Sequence, residues 1–149
     1  MTTHYLPHIL LIDDDEDDRD LFTGALTEVS PRSMLATATG CEAALSGIGT
    51  GAIEIPDVVF LDLTMPGVSG FECVMLIKAH PKLNAVPIVV MSSAGIQAQI
   101  DRLYAMGVTY FITKPPTFAK LKEIIDKMVN TPAVFEARTK ETFFANKHG

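Results

Sequence analysis

Residues 8–14 read His-Ile-Leu-Leu-Ile-Asp-Asp, a short apolar run that ends in two carboxylates. A continuous apolar run of this length is typical of a strand that is buried on both faces of a parallel sheet. Similar runs follow at 34–38, 58–61, 88–91 and 109–112, and the run at 34–38 is the weakest. The sequence therefore predicts five strands, the first of which ends at a pair of acids.

Apolar residues at helical spacing separate these strands. Five helices are predicted in all. Two of them fit residues 41–48 and 70–79, and Thr117 is the predicted N-cap of the last helix. The three clearest apolar faces are Leu21, Phe22, Ala25, Leu26 and Val29; Ile96, Ile100, Leu103 and Tyr104; and Phe118, Leu121, Ile124, Ile125 and Met128. Strict alternation of apolar strands and helices predicts an α/β fold with a doubly wound parallel sheet. Five units are too few for an eightfold barrel.

The charge of the chain is concentrated in one segment. The chain has 149 residues, which favours one domain, and its formal net charge of −6 comes from 12 basic and 18 acidic residues. Residues 13–20 hold seven of the acids and one of the bases, so the remainder is balanced. A chain without a basic patch is not expected to bind nucleic acid by itself.

Several protein classes are excluded by simple features. Cys41 and Cys73 lie far apart in the sequence, which predicts two small buried side chains rather than a disulfide or a zinc site. No apolar run reaches the length of a membrane span, and the N-terminus lacks a signal peptide, so we expect a cytoplasmic protein. We expect one domain over residues 1–130 and a C-terminal tail over 131–149.

Polar side chains follow four of the predicted strands. They are Asp13 and Asp14 after the first, Asp62 after the third, Ser92 after the fourth and Lys114 after the fifth. Because a doubly wound sheet binds ligands beyond the carboxyl ends of its strands, we expect these groups to converge. Three carboxylates favour a hard cation such as Mg²⁺. A lysine and a hydroxyl suit a phosphoryl group, which Asp62 could accept as an acyl phosphate.

The remaining acids of the run have a simpler interpretation. Residues 15–20 lie at the start of the first helix, where acids are favoured, and we expect them to be mostly solvated. A calcium-binding EF-hand loop beginning at Asp13 is excluded, because Asp18 stands where that loop needs glycine and Gly24 where it needs glutamate.

Four motifs in this order resemble the receiver domain of a two-component response regulator. They are Ile-Leu-Leu-Ile-Asp-Asp at 9–14, Asp-Leu-Thr-Met-Pro-Gly-Val-Ser-Gly at 62–70, Pro-Ile-Val-Val-Met-Ser at 87–92 and Tyr-Phe-Ile-Thr-Lys-Pro at 110–115. The resemblance covers about residues 6–130. It implies a flavodoxin-like five-stranded parallel sheet in the order 2-1-3-4-5 with five helices.

The resemblance also implies a phosphoacceptor and a metal site. Asp62 would take a phosphoryl group from a phosphohistidine of a sensor kinase or phosphotransfer protein. Asp14 would bind Mg²⁺ directly, Asp13 would bind it through water, and Asp62 and the backbone carbonyl of Thr64 would complete the protein ligands.

The same resemblance implies a switch. Ser92 and Lys114 would contact the phosphoryl oxygens, and Phe111 would turn inward as Ser92 moves. The bond between Lys114 and Pro115 would be cis. Since no output domain follows in the sequence, signalling would proceed by contact with another protein. The tail contains three phenylalanines, and it could dock on its own domain, dock on a second copy to form a homodimer, or be disordered.

Two other functions are consistent with parts of the sequence. The chain could be a haloacid-dehalogenase-type phosphohydrolase with Asp13 as its nucleophile, although the acidic pair that such enzymes carry after the lysine is absent. It could also be a binding module of the same fold that is not phosphorylated. We favour the receiver, which is a phosphoacceptor rather than an enzyme acting on a separate substrate.

Overall fold

Five strands alternate with five helices in the computed structural model, which describes residues 7–63, 69–93 and 97–130. The strands are β1 (His8–Ile12), β2 (Met34–Ala38), β3 (Val58–Asp62), β4 (Ile88–Ser92) and β5 (Tyr110–Thr113). The helices are α1 (Glu16–Val29), α2 (Cys41–Thr50), α3 (Gly70–Ala79), α4 (Gln97–Ala105) and α5 (Phe118–Asn130). The predicted alternation is confirmed. Residues 131–149, the predicted tail, lie outside the described residues, as does Ile96.

The strands form one parallel sheet in the order β2-β1-β3-β4-β5. The chain first moves from β1 to the edge strand β2, and then returns past β1 to β3. The ligand crevice of such a sheet lies where the direction of winding changes, between β1 and β3. The predicted doubly wound fold and its strand order are confirmed.

Alternating side chains of the strands pack into two apolar cores, one on each face of the sheet. Leu10 and Leu61 belong to the core that α2, α3 and α4 cover, whereas Ile9 and Phe60 belong to the core under α1 and α5. The edge strand β2 is partly exposed, which explains its weaker apolar pattern. Burial of both faces holds the central strands, and thus their carboxyl ends, in fixed positions.

The observed strand ends differ slightly from the predicted ones. β3 and β4 each extend one residue further, so Asp62 and Ser92 are the last residues of their strands rather than the first loop residues. The parallel pairing continues through them, with Asp62 opposite Met91 and Ser92 opposite Thr113. Both polar groups are therefore positioned by the sheet itself.

The prediction that Cys41 and Cys73 are unpaired is wrong, because they form a disulfide between α2 and α3. Both cysteines are buried, and their Cα atoms are 5.7 Å apart, within the usual range for a disulfide. α2 and α3 cover the same face of the sheet as neighbours, so residues 32 positions apart in the sequence meet. Linear spacing carried no sign of this contact.

Two residues of the predicted apolar faces are exposed. Leu21 of α1 is 49% exposed and Phe118 of α5 is 37% exposed. In α1 the sheet-facing positions are taken by Phe22, Ala25 and Leu26, and Leu21 lies about 100° around the helix from Phe22. The predicted face was therefore too wide by one residue in each helix.

Candidate functional site

Three carboxylates meet at the carboxyl edge of the sheet. Asp13 directly follows β1, Asp14 is the next residue, and Asp62 ends β3. One oxygen from each carboxylate lies within 4.8 Å of the others. They converge because β1 and β3 are neighbours, with Ile12 opposite Leu61. Asp13 and Asp62 are buried and Asp14 is exposed, so the cluster is open to solvent on one side.

Backbone hydrogen bonds fix Asp13 in this cluster. Its amide donates to the carbonyl of Ala38 at 3.0 Å, and its Oδ1 accepts the amide of Asp15 at 2.9 Å. Nη1 of Arg19 donates to the Asp13 carbonyl at 2.8 Å. These contacts hold the carboxylate beside Asp62 even though the two charges repel.

The pKa of Asp13 shows the cost of this arrangement. Burial, with a smaller contribution from the charge of Asp62, raises it from 3.8 to about 6, although the hydrogen bond from Asp15 and the charge of Lys114 oppose the rise. At neutral pH the group is still ionised. The site therefore holds several negative charges that a cation would stabilise.

Lys114 supplies the positive charge of the site. Its Nζ lies 2.7 Å from Oδ2 of Asp18 and 3.2 Å from Oδ2 of Asp62. Burial lowers the pKa of this ammonium, but the hydrogen bond to Asp18 and the charge of Asp62 outweigh burial and raise it. The amide of Lys114 donates to the Ser92 carbonyl at 2.7 Å, which joins the residue to the end of β4.

Ser92 and Phe111 occupy neighbouring strands near this cluster. Ser92 ends β4 and is buried, and Phe111 of β5 is fully buried in the core that α4 helps to cover. Phe111 lies opposite Val90, two residues before Ser92 in β4. The structure therefore brings Ser92 and Lys114 to the same edge as Asp62, as predicted, and places Phe111 beneath that edge.

Two predicted details have different outcomes. Within the described residues every peptide bond is trans, so the predicted cis bond between Lys114 and Pro115 is wrong. Trans is the lower-energy form of a proline peptide unless surrounding contacts select the other. Thr64, predicted to offer its carbonyl to a metal, lies outside the described residues.

Asp18 is the site residue that sequence reasoning missed. The sequence places it in the solvated start of the first helix, yet its carboxylate makes the shorter of the two contacts to Lys114. Asp15, in contrast, behaves as expected: it caps α1, and its side chain accepts the amide of Asp18 at 3.1 Å. No signal in the sequence distinguishes Asp18 from the other acids of that turn, because its contact with Lys114 joins residues 96 positions apart.

The donors of the site suit a divalent cation and an anion together. Carboxylate oxygens are the ligands that Mg²⁺ prefers, and Asp13, Asp14 and Asp62 are within reach of one ion. An ammonium beside Asp62 can donate to an anionic group held at that carboxylate. The arrangement therefore fits the magnesium and phosphoryl chemistry predicted for it.

The part of the chain that the structure describes has no helix with the length and apolarity of a membrane span.

Comparison with known proteins agrees with the geometry. The response regulator receiver domain family matches residues 9–126. The two-component response regulator ARR5 of Arabidopsis thaliana is 30% identical over 132 residues, which cover 83% of this chain and 71% of that protein.

Crystal structures show the same fold. The phosphorylated cyanobacterial phytochrome response regulator RcpA has a TM-score of 0.73 and 26% identity, covering 91% of this chain and 97% of that chain. The Mn²⁺-bound form of response regulator Rcp1 has a TM-score of 0.74 and 25% identity, covering 84% and 96% of the two chains.

Proposed function

Because the chain belongs to the response regulator receiver domain family, we propose that it accepts a phosphoryl group on Asp62 and signals by contact with another protein. The observation that carries the proposal is the position of Asp62. Its carboxylate is buried at the end of β3, 3.2 Å from the Lys114 ammonium and grouped with two further carboxylates. The donor would be a phosphohistidine of a sensor kinase or of a phosphotransfer protein.

Mg²⁺ is the cofactor of this proposal. Asp13, Asp14 and Asp62 would hold it, with the carbonyl of Thr64 as a further ligand, and Asp13 would act through a bound water. When bound, the ion supplies positive charge to the phosphoryl oxygens and offsets the repulsion among the carboxylates. The raised pKa of Asp13 supports this role, because it reflects a buried charge that lacks sufficient compensation from the protein.

The transfer step uses the Asp62 carboxylate as the nucleophile. One of its oxygens forms a bond to phosphorus while the phosphorus–nitrogen bond of the donor breaks, and the leaving imidazole nitrogen keeps the electron pair and takes up a proton. The product is an acyl phosphate on Asp62. The sheet holds the carboxylate in place, so the protein contributes orientation rather than a separate acid or base.

Ser92 and Lys114 would hold the new phosphoryl group. The hydroxyl of Ser92 and the ammonium of Lys114 are donors at the ends of the two strands beyond β3. Movement of Ser92 toward a phosphoryl oxygen would favour an inward position of Phe111, which is already fully buried here. One added group would thereby bias a two-state element and change the surface offered to a partner.

Family membership does not favour the phosphohydrolase alternative, in which Asp13 would be the nucleophile. A binding module that shares the fold without being phosphorylated is the alternative that needs an experiment. The presence of Asp13, Asp14, Asp62 and Lys114 in one site supports phosphorylation.

Phosphorylation of Asp62 is tested by incubating the chain with acetyl phosphate and Mg²⁺ and measuring the intact mass. We expect one added phosphoryl group on the wild type, none on Asp62→Asn, and normal uptake by Asp20→Asn, which removes the same charge from an exposed position of α1. Equal uptake by Asp62→Asn would refute the assignment. A pull-down with and without beryllofluoride would then identify the partner that reads the modified state.

A further inference from the structure

Two carboxylates compete for the Lys114 ammonium. Oδ2 of Asp18 lies 2.7 Å from Nζ, closer than Oδ2 of Asp62 at 3.2 Å. The two acceptors differ in environment, since the side chain of Asp18 is 36% exposed and that of Asp62 is 5% exposed. Asp18 therefore draws the ammonium toward the surface, away from the buried carboxylate.

The backbone of Asp18 is held in place for this contact. Asp18 lies in the first turn of α1, and its amide donates to the capping side chain of Asp15. Asp18 and Lys114 also line one surface pocket together with Asp13, so the ammonium is not enclosed by packing and has room to move. The position of Lys114 is thus set by a balance between two negative groups.

We propose that Asp18 is a positioning residue that restrains Lys114 and thereby destabilises the phosphorylated state of the site relative to the unphosphorylated state. The inference rests on the proposed role of Asp62 as phosphoacceptor. A phosphoryl group on Asp62 carries more negative charge than the carboxylate and places it further from the strand end. Lys114 must follow that charge, and each step toward it weakens the contact with Asp18.

Removing the charge of Asp18 should therefore favour the phosphorylated state. Without Asp18 the ammonium interacts with Asp62 in both states, but it gains more from the phosphoryl group, whose charge is larger. The ion pair between Lys114 and Asp18 is partly exposed, and such pairs contribute little. We therefore expect its loss to change the equilibrium constant for forming the phosphorylated state by about twofold to fivefold.

The experiment measures binding of beryllofluoride, which mimics a phosphoryl group on a carboxylate, by NMR of the isotope-labelled chain at fixed Mg²⁺. We expect Asp18→Asn to lower the half-saturating concentration about twofold to fivefold. Asp17→Asn removes an equal charge from the exposed side of the same turn and should leave the value near that of the wild type. Asp18→Glu, which keeps the charge, should restore most of the wild-type behaviour.

A spectroscopic signature separates positioning from a general effect on folding. In the absence of beryllofluoride, the side-chain Cε resonance of Lys114 should shift in Asp18→Asn and not in Asp17→Asn. Equal affinities in the two asparagine variants, or an unmoved Lys114 resonance, would overturn the inference. If the wild type itself shows no binding that depends on Asp62, the proposed function fails instead, so the two failures are distinguishable.

Discussion

Asp13→Asn is expected to stabilise the metal-free protein at neutral pH. The substitution removes one of three carboxylates that lie within 4.8 Å of one another, and it preserves an oxygen that can accept the amide of Asp15. A buried acid whose pKa is raised in the folded state favours folding less when it is ionised than when it is protonated. Asparagine cannot ionise, so the variant avoids that cost.

The magnitude follows from the pKa of Asp13. Its value is about 6 in the folded protein against 3.8 as a reference, and a difference of about two pKa units corresponds to about 3 kcal/mol. This is an upper limit, because the NH2 group of asparagine adds a donor that needs an acceptor at this buried position, and we expect a gain of about 1–3 kcal/mol above pH 6. The folded state binds the proton of Asp13 more tightly than the unfolded state does. The free energy of unfolding of the wild type therefore falls by this amount as the pH rises from about 4 to about 6.

The assay is urea unfolding in the presence of EDTA, followed by circular dichroism between pH 4 and pH 7.5. The gain of Asp13→Asn over the wild type should be largest at pH 7.5 and should disappear near pH 4. Asp17→Asn serves as the control, because it also removes one negative charge, but from an exposed position. A variant no more stable than the wild type at pH 7.5, or a gain that persists undiminished at pH 4, would refute the reasoning.

Three further substitutions or treatments test the packing. Reducing the disulfide between α2 and α3 should lower the free energy of unfolding by about 3–4 kcal/mol, as expected for a 32-residue separation. Reductant should have no effect on the double variant Cys41→Ala, Cys73→Ala. Phe111→Ala should lower the free energy of unfolding, measured in urea, by about 3–5 kcal/mol, because the ring is fully buried. A Cβ at residue 70 would lie 2.5 Å from the Leu63 carbonyl oxygen, so Gly70→Ala should lower the melting temperature, whereas Gly49→Ala, whose Cβ meets nothing within 4 Å, should not.

Much of the site was accessible from the sequence because its residues follow recognisable strands. Asp13 comes directly after the five-residue strand β1, and Asp62 and Ser92 end two other strands. Parallel strands in one sheet bring such ends together, so predicting the strands was enough to predict the cluster. Burial on both faces makes these strands apolar throughout, which is a local and readable signal.

Contacts between side chains of different elements were not accessible in this way. Asp18 looked like any other acid at a helix start, and only the packing of α1 beside the end of β5 shows that it reaches Lys114. Cys41 and Cys73 likewise meet only because α2 and α3 are neighbours on one face of the sheet.

The sequence by itself determined the order of strands and helices, the buried character of the sheet and the residues at its carboxyl edge. These depend on periodicity and on position along the chain, both of which are local. The tertiary structure alone decided which carboxylate holds Lys114 most closely and which cysteines pair. Those outcomes depend on distances of a few ångströms between elements, and such distances are set by how complete helices pack against the sheet.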